Sequence, residues 1–162
     1  MIKYMYMPKV FNRPSWDEYF IQIAHVVKKR GNCIRRKVGA LIVKDKQIIA
    51  TGYNGTPTGI KNCFEGGCER CMKREKGILK SGEEKGKCIC ICAEQNALLQ
   101  AARHGTSTNN ATMYITDSPC LSCCKMIINS GISKVIAENI HHDTAGLNLL
   151  KKAGIELKIL KR

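Results

Sequence analysis

Two short stretches, "ICAEQNALL" (Ile91–Leu99) and "SPCLSCCK" (Ser118–Lys125), each set cysteine where an apolar helical repeat begins. Any fold that uses both must bring two helix N-termini together. Cys92 lies at the first boundary, and Cys120 and Cys123 at the second. A spacing of three places Cys120 and Cys123 on one helical face, so both sulfurs reach a single ion. The partial positive charge at a helix start favours thiolate, the form of cysteine that binds metal. Pro119 suits a first helical turn. Three protein ligands leave one corner of a zinc tetrahedron open, which marks a catalytic rather than a structural site. Glu94, two residues past Cys92, is placed to move the proton of a water at that corner.

The remaining pattern says what scaffold carries these boundaries. Ser15 and Glu18 form a capping box, and Trp16, Phe20, Ile23 and Val27 recur at helical spacing, predicting a helix to about Lys29. "KVGALIVKDKQIIATGY" reads as a hairpin turning at Lys44 to Lys46. Residues 54 to 87 show little periodicity and many glycines and cysteines, which predicts a long loop. A helix follows from Ala93 to about His104, stopped by Gly105, and then "TMYIT" as a strand. Cys120 to Ser130 forms the next helix, "SKVIAE" a strand, Ala145 to Lys152 a helix and "IELKIL" the last strand. The order α-β-β-α-β-α-β-α-β implies a mixed α/β sheet of five strands with helices on both faces. A chain of 162 residues suits one domain, here 1–162 with a Cys-rich insertion at about 54–90.

Ten cysteines in a chain without a secretory pattern read as metal ligands in a reducing, cytoplasmic setting, not as a disulfide framework. No apolar run is long enough to span a bilayer. Cys68 and Cys71 form a C-x-x-C knuckle, Cys63 precedes it, and Cys88 and Cys90 follow, so these five are candidate ligands of a second, structural zinc that folds the loop. If 88 to 92 is extended, Cys88, Cys90 and Cys92 share one face, and a local bend has to divide them between two ions. The net charge of +14 favours an anionic partner, nucleic acid or a phosphorylated small molecule, although a solvated lysine-rich surface accounts for it equally.

"CAE" at Cys92–Glu94 followed by "PCLSC" at Pro119–Cys123 matches the signature of zinc nucleobase deaminases, in which the glutamate shuttles protons and is not a ligand. The chain resembles the deoxycytidylate deaminases of the cytidine deaminase-like superfamily, through "RRKVGALIV", "TGYNGTPTGIKNC", "CAEQNALLQAA", "ATMYITDSPCLSCCKMIINSGISKV" and "LLKKAGIEL" in the family's order. The resemblance implies a three-layer cytidine deaminase-like fold and hydrolytic deamination of dCMP to dUMP. It implies a catalytic zinc on Cys92, Cys120 and Cys123, with Glu94 as proton shuttle and Asn54 of "GYNG" on the substrate sugar. Relatives are often hexamers regulated by dCTP and dTTP, and "GYNGTP" resembles their effector loop, so a homo-oligomer under such control is expected. Some relatives carry an extra zinc, and "NCFEGGCERC" resembles their insertion.

The chain departs from the family in two places. Cys92 stands where relatives usually have histidine, which makes the metal centre more negative and calls for a compensating cation such as Arg35 or Arg36. His141 in "ENIHHD" stands where relatives tend to carry tyrosine near the nucleotide, and it is the second candidate substrate contact. Two other readings fit the charge. One is a polynucleotide deaminase of the transfer-RNA adenosine type, with nearly the same metal motifs. The other is a non-catalytic zinc module gripping nucleic acid through "KREKGILKSGEEKGK".

Overall fold

Glycine at two strand positions sets how closely helices approach the sheet from either side. A Cβ on Gly39 would lie 2.1 Å from the Ala24 carbonyl oxygen, and one on Gly52 would lie 2.1 Å from that of Ala93. Helix backbone therefore rests directly on strand backbone, on opposite faces of one sheet. The computed structural model describes residues 12–140 and 144–160. In it α1 is Trp16–Lys28, β1 Gly39–Lys44, β2 Gln47–Tyr53, α2 Glu69–Glu75, α3 Ala93–Arg103, β3 Thr112–Asp117, α4 Leu121–Asn129, β4 Lys134–Asn139, α5 Ala145–Lys152 and β5 Glu156–Ile159.

The strands lie in the order β2-β1-β3-β4-β5. The first three pair antiparallel, whereas β3, β4 and β5 are parallel. Two right-handed crossovers stepping the same way along the sheet put α4 and α5 on one face. Alternation along β1 divides the core accordingly. Ala40 and Ile42 pack with Ala97 and Ala101 of α3, Ile127 of α4 and Leu150 of α5. Leu41 and Val43 pack with Phe20, Ile21 and Ala24 of α1. The result is the expected three-layer mixed sheet with helices on both faces. Trp16 differs from the amphipathic reading: it is 44% exposed and stacks on Phe20 with ring centroids 5.6 Å apart.

The hairpin turns at Asp45 and Lys46, both at positive φ, as a two-residue loop that follows the right-handed twist of its strands requires. Its outer strand β2 is the sheet edge, and α3 covers part of it. Thr51 N–H donates to Gln100 Oε1 at 2.5 Å, and Asn96 Nδ2 donates to the Tyr53 carbonyl at 2.7 Å. Ala93, Ala97 and Ala101 form the buried stripe of α3, small enough for the contact with Gly52.

The segment predicted as an uninterrupted loop over 54 to 87 contains α2 and single 3-10 turns at Cys63–Glu65 and Lys85–Lys87. Its seven-residue helix is too short to show a period, and its buried residue is Cys71, packed among other cysteines, which an apolar-periodicity reading passes over. Asn32 ties the segment to the end of α1. Its Nδ2 donates to Asn62 Oδ1 at 2.8 Å and to Thr56 Oγ1 at 3.2 Å, and its Oδ1 accepts from Thr56 N–H at 3.1 Å. Among the described residues no helix is long and apolar enough to cross a membrane.

Candidate active site

The N-termini of α3 and α4 meet at one end of the sheet, beside the carboxyl end of β3 and the start of β1. Cys92 is the N-cap of α3, with its backbone N–H donating to Gln95 Oε1 at 3.1 Å. Cys120 is the N-cap of α4, and Cys123 falls in that helix's first turn. The three sulfurs lie within 4.8 Å of one another, with Cys120 and Cys123 3.5 Å apart. The predicted trio therefore converges. Hydrogen bonding among the thiols splits their titration: Cys120 is pulled down, mainly by Cys123, while Cys92 is pushed up to about 12, mainly by Cys120. Three sulfurs this close resist joint ionisation unless a cation sits among them. Soft thiolates at two helix starts are a donor set that fits zinc.

Glu94 is 5% exposed at the second position of α3. Burial pushes its carboxyl up to about 7, its own backbone N–H opposes this, and the neighbouring Cys120 and Asp117 charges add to it. A buried carboxyl titrating near neutrality beside a metal-competent trio suits proton transfer. Glu94, Cys92 and Cys120 share a cleft of about 120 Å³ with Val38, Asn54, Ala93, Asp117 and Ser118. Asn54 is thus brought to the cleft, and backbone fixes it there. Its Oδ1 accepts from Val38 N–H at 2.8 Å and its Nδ2 donates to the Arg36 carbonyl at 2.7 Å. Each group keeps capacity for one further hydrogen bond.

Of the two candidate compensating cations, Arg36 reaches the cleft, with its guanidinium 3.9 Å from Asp117. Arg35 pairs instead with Glu75 at 2.6 Å. Asp117 was absent from the sequence reading. Its signal was position, since it ends β3 three residues before Cys120, and ligands gather at the carboxyl ends of parallel strands. His141 lies outside the described residues.

The other five predicted cysteines come together, with a sixth that the spacing argument missed. Cys33, on the chain leaving α1, joins Cys63, Cys68 and Cys71 in a buried cluster against which Cys88 and Cys90 pack. The expected division of "CICIC" is found: Cys88 and Cys90 turn to this cluster while Cys92 joins the other. The segment is held between them by Ile91, whose N–H donates to the Gly55 carbonyl at 2.8 Å. Spacing rules detect ligands from one segment, and Cys33 stands 30 residues ahead of Cys63. Asn32, clamped to the same loop, was the neighbouring clue.

A family model for the cytidine and deoxycytidylate deaminase zinc-binding region matches residues 14–139. The chain belongs to this family. Among its relatives in the deoxycytidylate deaminase family, the deoxycytidylate deaminase of Schizosaccharomyces pombe is 44% identical over 147 residues, covering 90% of this chain and 44% of that protein. The chain thus spans less than half the length of that relative. The deoxycytidylate deaminase of Mycobacterium phage D29 is 40% identical over 129 residues, covering 77% of this chain and 95% of that protein. The crystal structure of dCMP deaminase from the cyanophage S-TIM5 in complex with dCMP and dUMP superposes with a TM-score of 0.75 at 34% identity, covering 93% of this chain and 100% of that one. The three-layer sheet is accordingly that of the cytidine deaminase-like fold.

Proposed function

We propose that this chain is a zinc-dependent hydrolase that deaminates dCMP to dUMP and ammonia. The observation that carries the reading is the convergence of Cys92, Cys120 and buried Cys123, the first two lining a cleft that also holds buried Glu94 and backbone-fixed Asn54. Family membership and the dCMP and dUMP bound by the cyanophage relative support it. Cys92, Cys120 and Cys123 would hold the zinc. When bound, zinc supplies Lewis acidity and brings the pKa of water from 15.7 to about 7.

This chain's own residues do the rest. Glu94 accepts a proton from the water that attacks C4 of cytosine and passes it to N3, then takes the second proton from the new C4 hydroxyl and gives it to the amino group, which leaves as ammonia when the C4–N bond breaks. Its burial keeps the carboxyl poised between accepting and giving near neutral pH. Asn54 takes the sugar hydroxyl with the capacity its backbone partners leave over. Arg36, held at the rim by Asp117, offsets the negative charge of a three-thiolate centre. His141 is retained as a substrate contact on sequence grounds alone.

The same reading gives the cysteine-rich segment a structural zinc, taken from Cys63, Cys68, Cys71, Cys88 and Cys90 with Cys33 added. It places the protein in the reducing cytoplasm, where free thiols persist. Assembly into a homo-oligomer, a hexamer by family analogy, is supported by apolar residues left on α3 and α4, with Leu99 55% and Met126 42% exposed. Control by dCTP and dTTP through the Gly52–Pro57 region belongs to the same proposal. The deciding experiment measures ammonia release from dCMP, dCTP, CMP, cytidine and an RNA substrate with metal-loaded protein. Release from dCMP well above the others supports the reading, and release from RNA alone would reverse it.

A further inference from the structure

The sulfurs of the second cluster form two quartets, not one. Cys33, Cys63, Cys71 and Cys90 lie within 4.8 Å of one another, and so do Cys68, Cys71, Cys88 and Cys90. Cys71 and Cys90 belong to both. All six thiols are free of disulfides. Sulfurs that share one tetrahedral zinc at about 2.3 Å stand about 3.8 Å apart. The Cys88 sulfur lies 3.9 Å from those of both Cys68 and Cys71. A single ion takes four sulfurs, and whichever quartet it chose, two further cysteines would be left against it as idle thiols. Two ions sharing an edge use all six and leave none over.

We propose that these six cysteines hold two zinc ions, Cys33 and Cys63 completing one tetrahedron, Cys68 and Cys88 the other, with Cys71 and Cys90 bridging both. The proposal rests on the reading that this segment binds structural zinc, and adds to it the second ion and the shared sulfurs. Backbone N–H groups are disposed to match. Those of Arg35 and Arg36 face the Cys33 sulfur, that of Ile34 faces Cys63, and that of Cys90 faces Cys88. These are positions that contact one ion each, where a thiolate keeps lone pairs free for hydrogen bonding. Binding releases up to six protons and leaves six thiolates against two dications, a net charge of −2 within the cluster. The short helix α2, which carries Cys71, sets Arg70, Lys73 and Arg74 against Glu69 and Glu75, with Lys73 paired to Glu69 at 2.7 Å, so its own charge offsets only part of that excess.

The geometry also says what such a cluster does. Cys33 begins the segment that runs through Arg36 to Val38 on the cleft wall, and Cys90 stands two residues before Cys92. One bimetallic knot braces both chain segments that enter the candidate active site. An apolar core of six sulfurs, four of them nearly or fully buried, offers little packing to do the same without metal.

The test reads metal content on full-length protein reconstituted with excess zinc and then desalted. Three zinc ions per chain are expected. Two would overturn the second ion while sparing a structural zinc, and one would overturn both while sparing the active-site metal. X-ray absorption at the zinc edge should show a metal–metal distance below about 4 Å, and its absence refutes the bridge. Cys33→Ala and Cys68→Ala sit at opposite ends and should each lower the content from three to two. If only one of them does so, a single quartet binds and the proposal fails. Should either variant not fold, cadmium-113 resonance on the unmodified chain decides. Mutual coupling between two sulfur-bound cadmium signals supports shared thiolates, and uncoupled signals reject them.

Discussion

Substituting Gly52 by alanine tests whether close packing of α3 on the sheet sets the active site. The added Cβ would fall 2.1 Å from the Ala93 carbonyl oxygen and 2.4 Å from the Ala97 nitrogen, where ordinary contact begins at 3.4 Å. Those two atoms are hydrogen-bond partners within the first turn of α3, so a flexible side chain cannot absorb the clash. The turn must withdraw, and it carries Cys92 and Glu94 at its head. Overpacking of this kind destabilises by about 1–3 kcal/mol, and rigid backbone on both sides puts Gly52→Ala near the upper end. Misplacing catalytic groups by about 1 Å lowers turnover about 100-fold.

Leu150→Ala supplies the comparison. Leu150 is fully buried on α5, away from the cleft, and its truncation costs about 2–5 kcal/mol. Urea unfolding gives the stability of each variant, and ammonia release from dCMP under conditions where both are folded gives turnover per folded molecule. Gly52→Ala should lose both stability and turnover, with weakened zinc retention, whereas Leu150→Ala should lose stability alone. Gly52→Ala with unimpaired turnover would refute the claim that this helix contact positions the chemistry.

Glu94→Gln keeps the shape of the cleft and removes the proton shuttle, so turnover should fall by at least about 100-fold while zinc content, read by metal analysis, is unchanged. Asn54→Ala removes the partners of Val38 N–H and the Arg36 carbonyl, and should destabilise by about 1–2 kcal/mol while raising KM for dCMP more than it lowers kcat. At the opposite face of the sheet, burial pushes the Asp17 carboxyl up, but hydrogen bonds from Lys158 and from Tyr114, the latter 2.9 Å away, outweigh it and hold it below its ordinary 3.8. A depressed carboxyl stabilises the fold above pH 3.8, and that contribution is lost as pH falls through the lower folded-state value. Asp17→Asn should therefore lower the urea midpoint at pH 6 by the equivalent of about 1 kcal/mol and close that gap towards pH 2.

How far such a site is legible in sequence depends on what its residues share. Cys120 and Cys123 sit on one turn and could be paired from spacing alone. Cys92 was joined to them because both segments announce a helix start, and helix starts on one sheet edge face one another. The strands and helices around them were readable for the same reason, since apolar period and glycine stops coincide at Gly105, Gly131 and Gly154, all at positive φ. Asp117, Arg36 and Cys33 carried no such mark. Asp117 acquires meaning, and Arg36 is chosen over Arg35, only once antiparallel β1 sets the start of one strand against the end of another, with Ala40 opposite Ile115. Cys33 needs the Asn32 clamp to bring it to Cys63. What sequence hides here is pairing between segments whose only link is the sheet register, and register is fixed by the whole buried face rather than by any local motif. "CICIC" could be apportioned because Cys92 belongs to the helix-start motif, but the bend that divides it is not a local feature: alternation places three sulfurs on one side, and the long-range Gly55–Ile91 bridge holds the chain where two go one way and one the other.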